Sequence, residues 1–136
     1  MKKVIILGLS FLCACQSAPQ KTEQQSTQST PTTSSIINEV LPQADYRARI
    51  QATDNIQLVD VRTPEEYQAG HIEGALNINF FDPDFEQQLL QGVKKDQPVY
   101  LYCRSGNRSG QASKKMVQWG YQEIYDLEGG FSQWKN

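Results

Sequence analysis

From residue 43 onward, short apolar runs alternate with stretches of helical period. The run "IQLVDV" (56–61), with Leu58 and Val59 adjacent and Ile56 and Val61 flanking them, predicts a strand buried on both faces. Thr63, Pro64 and Glu66 follow with the spacing of a capping box, Thr63 as N-cap and Pro64 at the first helical position, and Gly70 ends that helix. "ALNIN" (75–79) predicts a short strand, Asp82 to Gln91 a short helix capped by Asp82 or Asp84, and "PVYLYC" (98–103) a second buried strand. Ala112, Met116 and Trp119 recur at i, i+4 and i+7, the apolar stripe of a helix lying on a sheet, and Gly120 stops it. "EIYDL" (123–127) reads as the last strand and "QADYRARIQA" (43–52) as a further helix. Strands alternating with helices predict an α/β fold, a doubly wound parallel sheet with helices on both faces.

The first residues follow a different pattern. Lys2 and Lys3 precede an apolar run from Val4 to Leu12, too short to span a bilayer and flanked as an export signal is. The run ends in "LCAC", which resembles the bacterial lipobox, with Leu12 three places before Cys15, Ala14 directly before it and Cys15 as the residue that receives the lipid. Cys13 is an unusual occupant of the second box position, and a plain secretory signal cut near Ala14 or Ala18 is the alternative. Residues 1–14 are thus expected to be a lipoprotein signal peptide. Residues 15–35 carry the lipidated cysteine and a tether rich in Gln, Ser, Thr and Pro, with no aromatic or large aliphatic side chain to bury. Such a tether reaches up to about 70 Å when extended and averages roughly 25 Å as a coil. The expected location is the bacterial cell envelope, lipid-anchored and facing the periplasm. Gln16 is not the acidic residue that retains some lipoproteins at the inner membrane. Residues 36–136 remain for one folded domain, enough to bury roughly 60 to 65% of the unfolded surface.

Signal removal takes Cys13 and lipidation occupies Cys15, so Cys103 alone is left as a thiol. One unpaired cysteine in an oxidising compartment is either a buried filler or a reactive group. Cys103 directly follows "VYLY" and opens a loop running into the helix of Met116 and Trp119. In open α/β sheets ligands bind beyond the carboxyl ends of the strands, and a strand, a glycine-containing turn and a helix N-terminus together make a site for an anion. A thiolate is favoured by the same features and by nearby cations. Between Gln97 and Gln122 the charged residues are Arg104, Arg108, Lys114 and Lys115, although the whole chain has a net charge of -2. Lys114 and Lys115 read as a solvated helix face, whereas Arg104 and Arg108 lie in the turn itself. The near-neutral balance, with no basic tail, gives no footprint for nucleic acid, and none is expected as a partner.

Three segments, "LVDVRTPEEYQAGHIEGALNI" (58–78), "YCRSGNRS" (102–109) and "EGGFSQW" (128–134), together resemble the signatures of single-domain rhodaneses, the thiosulfate sulfurtransferase family. The resemblance implies a rhodanese-like α/β domain over 36–136. It implies that Cys103 is the nucleophile, taking sulfane sulfur from a small anionic donor such as thiosulfate as a persulfide and passing it to a thiophilic acceptor, cyanide or a thiol. Arg104, Ser105, Gly106, Asn107, Arg108 and Ser109 would line the substrate site, their amides stabilising the sulfur anion and the two arginines attracting the donor. Arg62 is expected in a structural ion pair with Glu66, His71 as a hydrogen-bonded structural histidine, and Phe131 and Trp134 in the core.

A phosphatase or arsenate reductase is the nearest enzyme rival, because related cell-cycle phosphatases use a cysteine loop with an arginine six positions on. Here Ser109 stands at that distance and the arginine one place earlier, while Tyr102 replaces the phosphatase histidine. A Cys–His hydrolase lacks a general-base network, His71 being the single histidine, and a zinc site lacks ligands. No cofactor or metal is expected, and a monomer is the default. The reading of a different class is a non-catalytic rhodanese-like module that carries sulfur or binds a partner. Retention of Cys103 favours turnover.

Overall fold

The computed structural model describes residues 35–135. The expected signal peptide and Cys15 lie outside the described residues, as does all but the last residue of the tether. Five strands form one sheet in the order β1-β5-β4-β2-β3, and every neighbouring pair is parallel. They are β1 (Ile37–Leu41), β2 (Gln57–Asp60), β3 (Leu76–Asn77), β4 (Val99–Tyr102) and β5 (Glu123–Leu127). The helices between them are α1 (Gln43–Ala52), α2 (Pro64–Gln68), α3 (Phe85–Gly92) and α4 (Asn107–Gln118), followed by a 3-10 turn at Phe131–Gln133.

Side-chain alternation along the inner strands divides the core between the two faces. Val59, Val99, Leu101, Cys103 and Ile124 point to the face covered by α3 and α4, where Phe85, Leu89, Ala112 and Met116 meet them. Leu58, Tyr100, Tyr102, Tyr125 and Leu127 point to the other face, against Tyr46 and Ile50 of α1 and Tyr67 of α2. Because β4 lies between β5 and β2, all its residues are buried, and its carboxyl end opens at the middle of the sheet. That is where Cys103 stands.

The expected capping box of α2 is present: the Thr63 hydroxyl accepts from the Glu66 amide and the Glu66 carboxylate from the Thr63 amide. Gly120 ends α4 with φ +92°, in the left-handed region open to glycine. Three details differ from the sequence expectation. The strand expected over 75–79 pairs only at Leu76 and Asn77. Helix α3 begins at Phe85 rather than near Asp82, and its cap position, Asp84, makes no side-chain capping bond. Asp82 instead accepts from the side chains of Asn79 and Gln88, which fixes the turn before the helix. Strand β1 was not expected at all. It lies at the sheet edge with Asn38, Glu39 and Val40 exposed, so its sequence shows neither an apolar run nor alternation, yet it pairs with β5 over five residues.

Candidate active site

Cys103 is the first residue beyond β4, and the loop it opens becomes α4 within four residues. Gly106 holds the cap position of that helix at φ +95°, a backbone conformation that a side chain would strain. This turn aims the Gly106 amide at the Cys103 sulfur, 3.1 Å away. One helical turn on, the Ser109 hydroxyl donates to the same sulfur at 3.4 Å. Both donors, with the positive end of α4 behind them, are aimed at the Cys103 sulfur. Cys103 is 1% exposed, so a donor must displace loop side chains to reach it.

The turn after β5 braces this loop from behind. Phe131 and Ser132 donate their amides to the carbonyls of Cys103 and Arg104, at 2.8 and 2.9 Å. Gly130, at φ +60°, lies so close that a Cβ there would stand 2.6 Å from the Cys103 carbonyl oxygen. Phe131 and Trp134 pack against the α1 face of the core, as expected.

The arginines are arranged otherwise than the sequence suggests. Arg62 does not pair with Glu66; its guanidinium lies on Asp60, Nη2 to Oδ2 at 2.5 Å, and also donates to the Gly70 carbonyl. The i, i+2 spacing places both on one side of the chain where it leaves β2, and the pair is almost wholly buried. Glu66 instead takes Arg108 in a two-pronged contact of 2.7 and 2.9 Å. Hydrogen bonding from Arg108 pulls the Glu66 carboxyl down to about 2, against the opposing effect of its partial burial. The pair ties α4 to α2, and Arg108 is not a free cation. Arg104 is exposed and borders a cleft of about 330 Å³ with Arg62, Glu66, Gly70, Phe131 and Ser132.

Of the remaining expected site residues, Ser105 and Asn107 are exposed, and the Asn107 side chain accepts from Gln111 rather than facing the sulfur. His71 is hydrogen-bonded through Nδ1 to the Tyr67 carbonyl and stacked on the Tyr67 ring, consistent with a structural role. Tyr102 accepts from the Ile72 amide. Sequence reasoning passed over Asp126, which is 3% exposed and lies beneath the start of α4. Its signal was present: in "EIYDL" it shares a face with Ile124, a carboxyl where alternation calls for an apolar side chain.

A parallel sheet covered by helices on both faces, with a cysteine at its central carboxyl edge followed directly by a helix, defines an α/β domain of the doubly wound class. The model of the rhodanese-like domain matches residues 43–136. An uncharacterized protein of Bacillus subtilis, YqhL, is 40% identical over 72% of this chain and 73% of its own length. The thiosulfate sulfurtransferase GlpE of Pseudomonas paraeruginosa is 34% identical over 68% of this chain and 82% of its own. The crystal structure of a rhodanese-like domain protein from Staphylococcus aureus superposes with a TM-score of 0.64 at 25% identity, covering 73% of this chain and 93% of that one. The chain belongs to the rhodanese-like domain family.

Proposed function

We propose that this protein is a sulfurtransferase that moves sulfane sulfur from a donor such as thiosulfate to a thiophilic acceptor through a persulfide on Cys103. The observation that carries this reading is the aim of the Gly106 amide and the Ser109 hydroxyl at the Cys103 sulfur. In the first half-reaction the thiolate attacks the outer sulfur of thiosulfate; a new S–S bond forms, the old one breaks, and its electron pair leaves with sulfite. In the second, cyanide or a thiolate takes the outer sulfur and returns Cys103 as thiolate. The donors on the sulfur are in place before reaction, so they stabilise thiolate and persulfide without reorganising. The likeness to a thiosulfate sulfurtransferase over most of the domain supports the same chemistry. Arg104, exposed at the cleft, is the cation left to attract the donor, because Arg108 is held by Glu66.

A phosphatase reading is disfavoured by the same geometry. The position six residues after the cysteine is Ser109, engaged with the sulfur, and the arginine before it is turned to a carboxylate. The burial of Cys103 gives some support to a second reading, a sulfur carrier that shields its persulfide from water and hands it to one partner. We further propose that the protein is a monomer anchored through Cys15 and facing the periplasm, as the lipobox-like "LCAC" suggests.

Purified protein incubated with thiosulfate is expected to gain the mass of one sulfur, to lose it to cyanide with release of thiocyanate, and to do so catalytically. Cys103→Ser should stay folded and gain nothing. Absence of the adduct together with efficient cleavage of an aryl phosphate would overturn the proposal. An adduct that cyanide does not turn over would leave the carrier reading in its place.

A further inference from the structure

The charged side chains that line the cleft beside Cys103 are Arg62, Glu66 and Arg104, and two of the three are already matched. Arg62 is cancelled by buried Asp60, in contact at 2.5 Å. Glu66 spends both carboxylate oxygens on Arg108, at 2.7 and 2.9 Å. Arg104 is exposed and forms no ion pair among the described residues. The rim therefore offers one uncompensated positive charge. Its uncharged lining includes the exposed methyl group of Ala69 and the half-buried ring of Phe131.

Inorganic thiosulfate brings two negative charges to this rim. An organic thiosulfonate, in which a carbon substituent replaces one oxygen anion, brings one charge and an apolar group. We propose that Glu66 is a specificity-determining residue: by neutralising Arg108 it matches the cleft to a singly charged organic donor of the thiosulfonate class, in preference to thiosulfate. This rests on the sulfurtransferase reading above and names the donor class of the same site. The transfer balances as it does for thiosulfate. The Cys103 thiolate attacks the outer sulfur and an S–S bond forms; the bond from that sulfur to the sulfonyl sulfur breaks, and its electron pair leaves with an organic sulfinate.

Glu66 is held in place for this task independently of Arg108, because the same carboxylate accepts the Thr63 amide at 3.1 Å in the cap of α2. Hydrogen bonding from Arg108 keeps its carboxyl down at about 2, so the screening persists at any pH at which a thiolate forms. The pair is only partly open to water, at 15% exposure for the Arg108 side chain and 28% for Glu66, and its charges are weakened less than those of a fully solvated pair. Arg108 directly precedes Ser109, whose hydroxyl donates to the Cys103 sulfur. An Arg108 released from Glu66 would thus add its charge within the turn that holds the sulfur, where a doubly charged donor gains more from it than a singly charged one.

The test uses the full chain and two donors of similar shape that differ by one charge, thiosulfate and methanethiosulfonate. Sulfur uptake at Cys103 is followed by mass, and each rate constant is divided by that of the same donor with a small free thiol, which removes intrinsic reactivity. The corrected ratio of methanethiosulfonate to thiosulfate should exceed one in the unmodified protein. Glu66→Gln frees Arg108 and should lower the ratio about three- to tenfold, the size of one unit charge acting near a protein surface. Arg108→Gln leaves the capping bonds of Glu66 in place and should raise the ratio by a similar factor. The double variant, with its net charge restored, should return to the starting value. A purely structural role for the pair would slow both donors together and leave the ratio unmoved, which would overturn the proposal, as would a corrected ratio below one in the unmodified protein. Should Glu66→Gln fail to fold, the ratio in Arg108→Gln decides. Uptake from neither donor would instead strike down the sulfurtransferase reading and this inference with it, whereas uptake from both at an unmoved ratio would sink the inference alone.

Discussion

Glu66 joins two structures with one carboxylate, completing the capping box of α2 through one oxygen and holding Arg108 with both. Glu66→Gln should weaken both, at a cost of about 1–2 kcal/mol, between an exposed pair and a buried one. Because the folded-state carboxyl titrates at about 2, below its unfolded value, the stabilisation is complete above the unfolded pKa and is lost as pH falls towards 2. Thermal melts of the variant should accordingly lie below those of the unmodified protein at neutral pH and converge with them in strong acid. Asp126 has the opposite sign. Its folded-state carboxyl is raised to about 6, so its contribution to stability falls as pH rises from about 4 to about 6 and stays low above that. Asp126→Asn should therefore melt higher at pH 7, stabilised by about 1–2 kcal/mol, and lose that advantage near pH 4. A lower melting temperature at pH 7 would show that the charge is better accommodated than its burial implies.

Elements were legible in the sequence where burial wrote a pattern. Strands β2 and β4 are apolar at consecutive positions because both faces of the sheet are covered, and the stripe of Ala112, Met116 and Trp119 marks α4 because one side of it is buried. Strand β1 was illegible because only its ends, Ile37 and Leu41, pack on the core while the three residues between are exposed, so backbone pairing with β5 leaves no apolar run or alternation to read. The turn after β5 was readable as part of a family signature but not as a brace. Its role emerges only from the 2.8 and 2.9 Å bonds onto the Cys103 and Arg104 carbonyls. Gly130→Ala combines a Cβ 2.6 Å from the Cys103 carbonyl with a strained φ of +60°, so it should cost at least about 2–3 kcal/mol. Even where the variant folds, the loop must shift, and sulfur uptake by Cys103 should fall by at least about tenfold. Adduct formation with thiosulfate, followed by mass, reads this directly; uptake at the original rate would mean that the brace is dispensable.

For the whole molecule, the residues named in the proposed chemistry all fall within the family match at 43–136, whereas location would be set by the segment before it. Cys15→Ser should move the protein from the membrane fraction to the soluble fraction and abolish incorporation of labelled fatty acid, with thiosulfate uptake at Cys103 unchanged. Membrane association that survives the change would remove the lipid anchor from the reading. The sequence by itself determined the order of elements, the parallel α/β class and the place of Cys103 at the carboxyl end of an inner strand, because these follow from local periodicity and from turn residues within a few positions of one another. The tertiary structure alone decided which charges meet: Arg62 with Asp60 and Arg108 with Glu66. Partners such as Glu66 and Arg108, 42 residues apart, are joined by the crossing of strands in the sheet, and nothing in the spacing along the chain records that crossing.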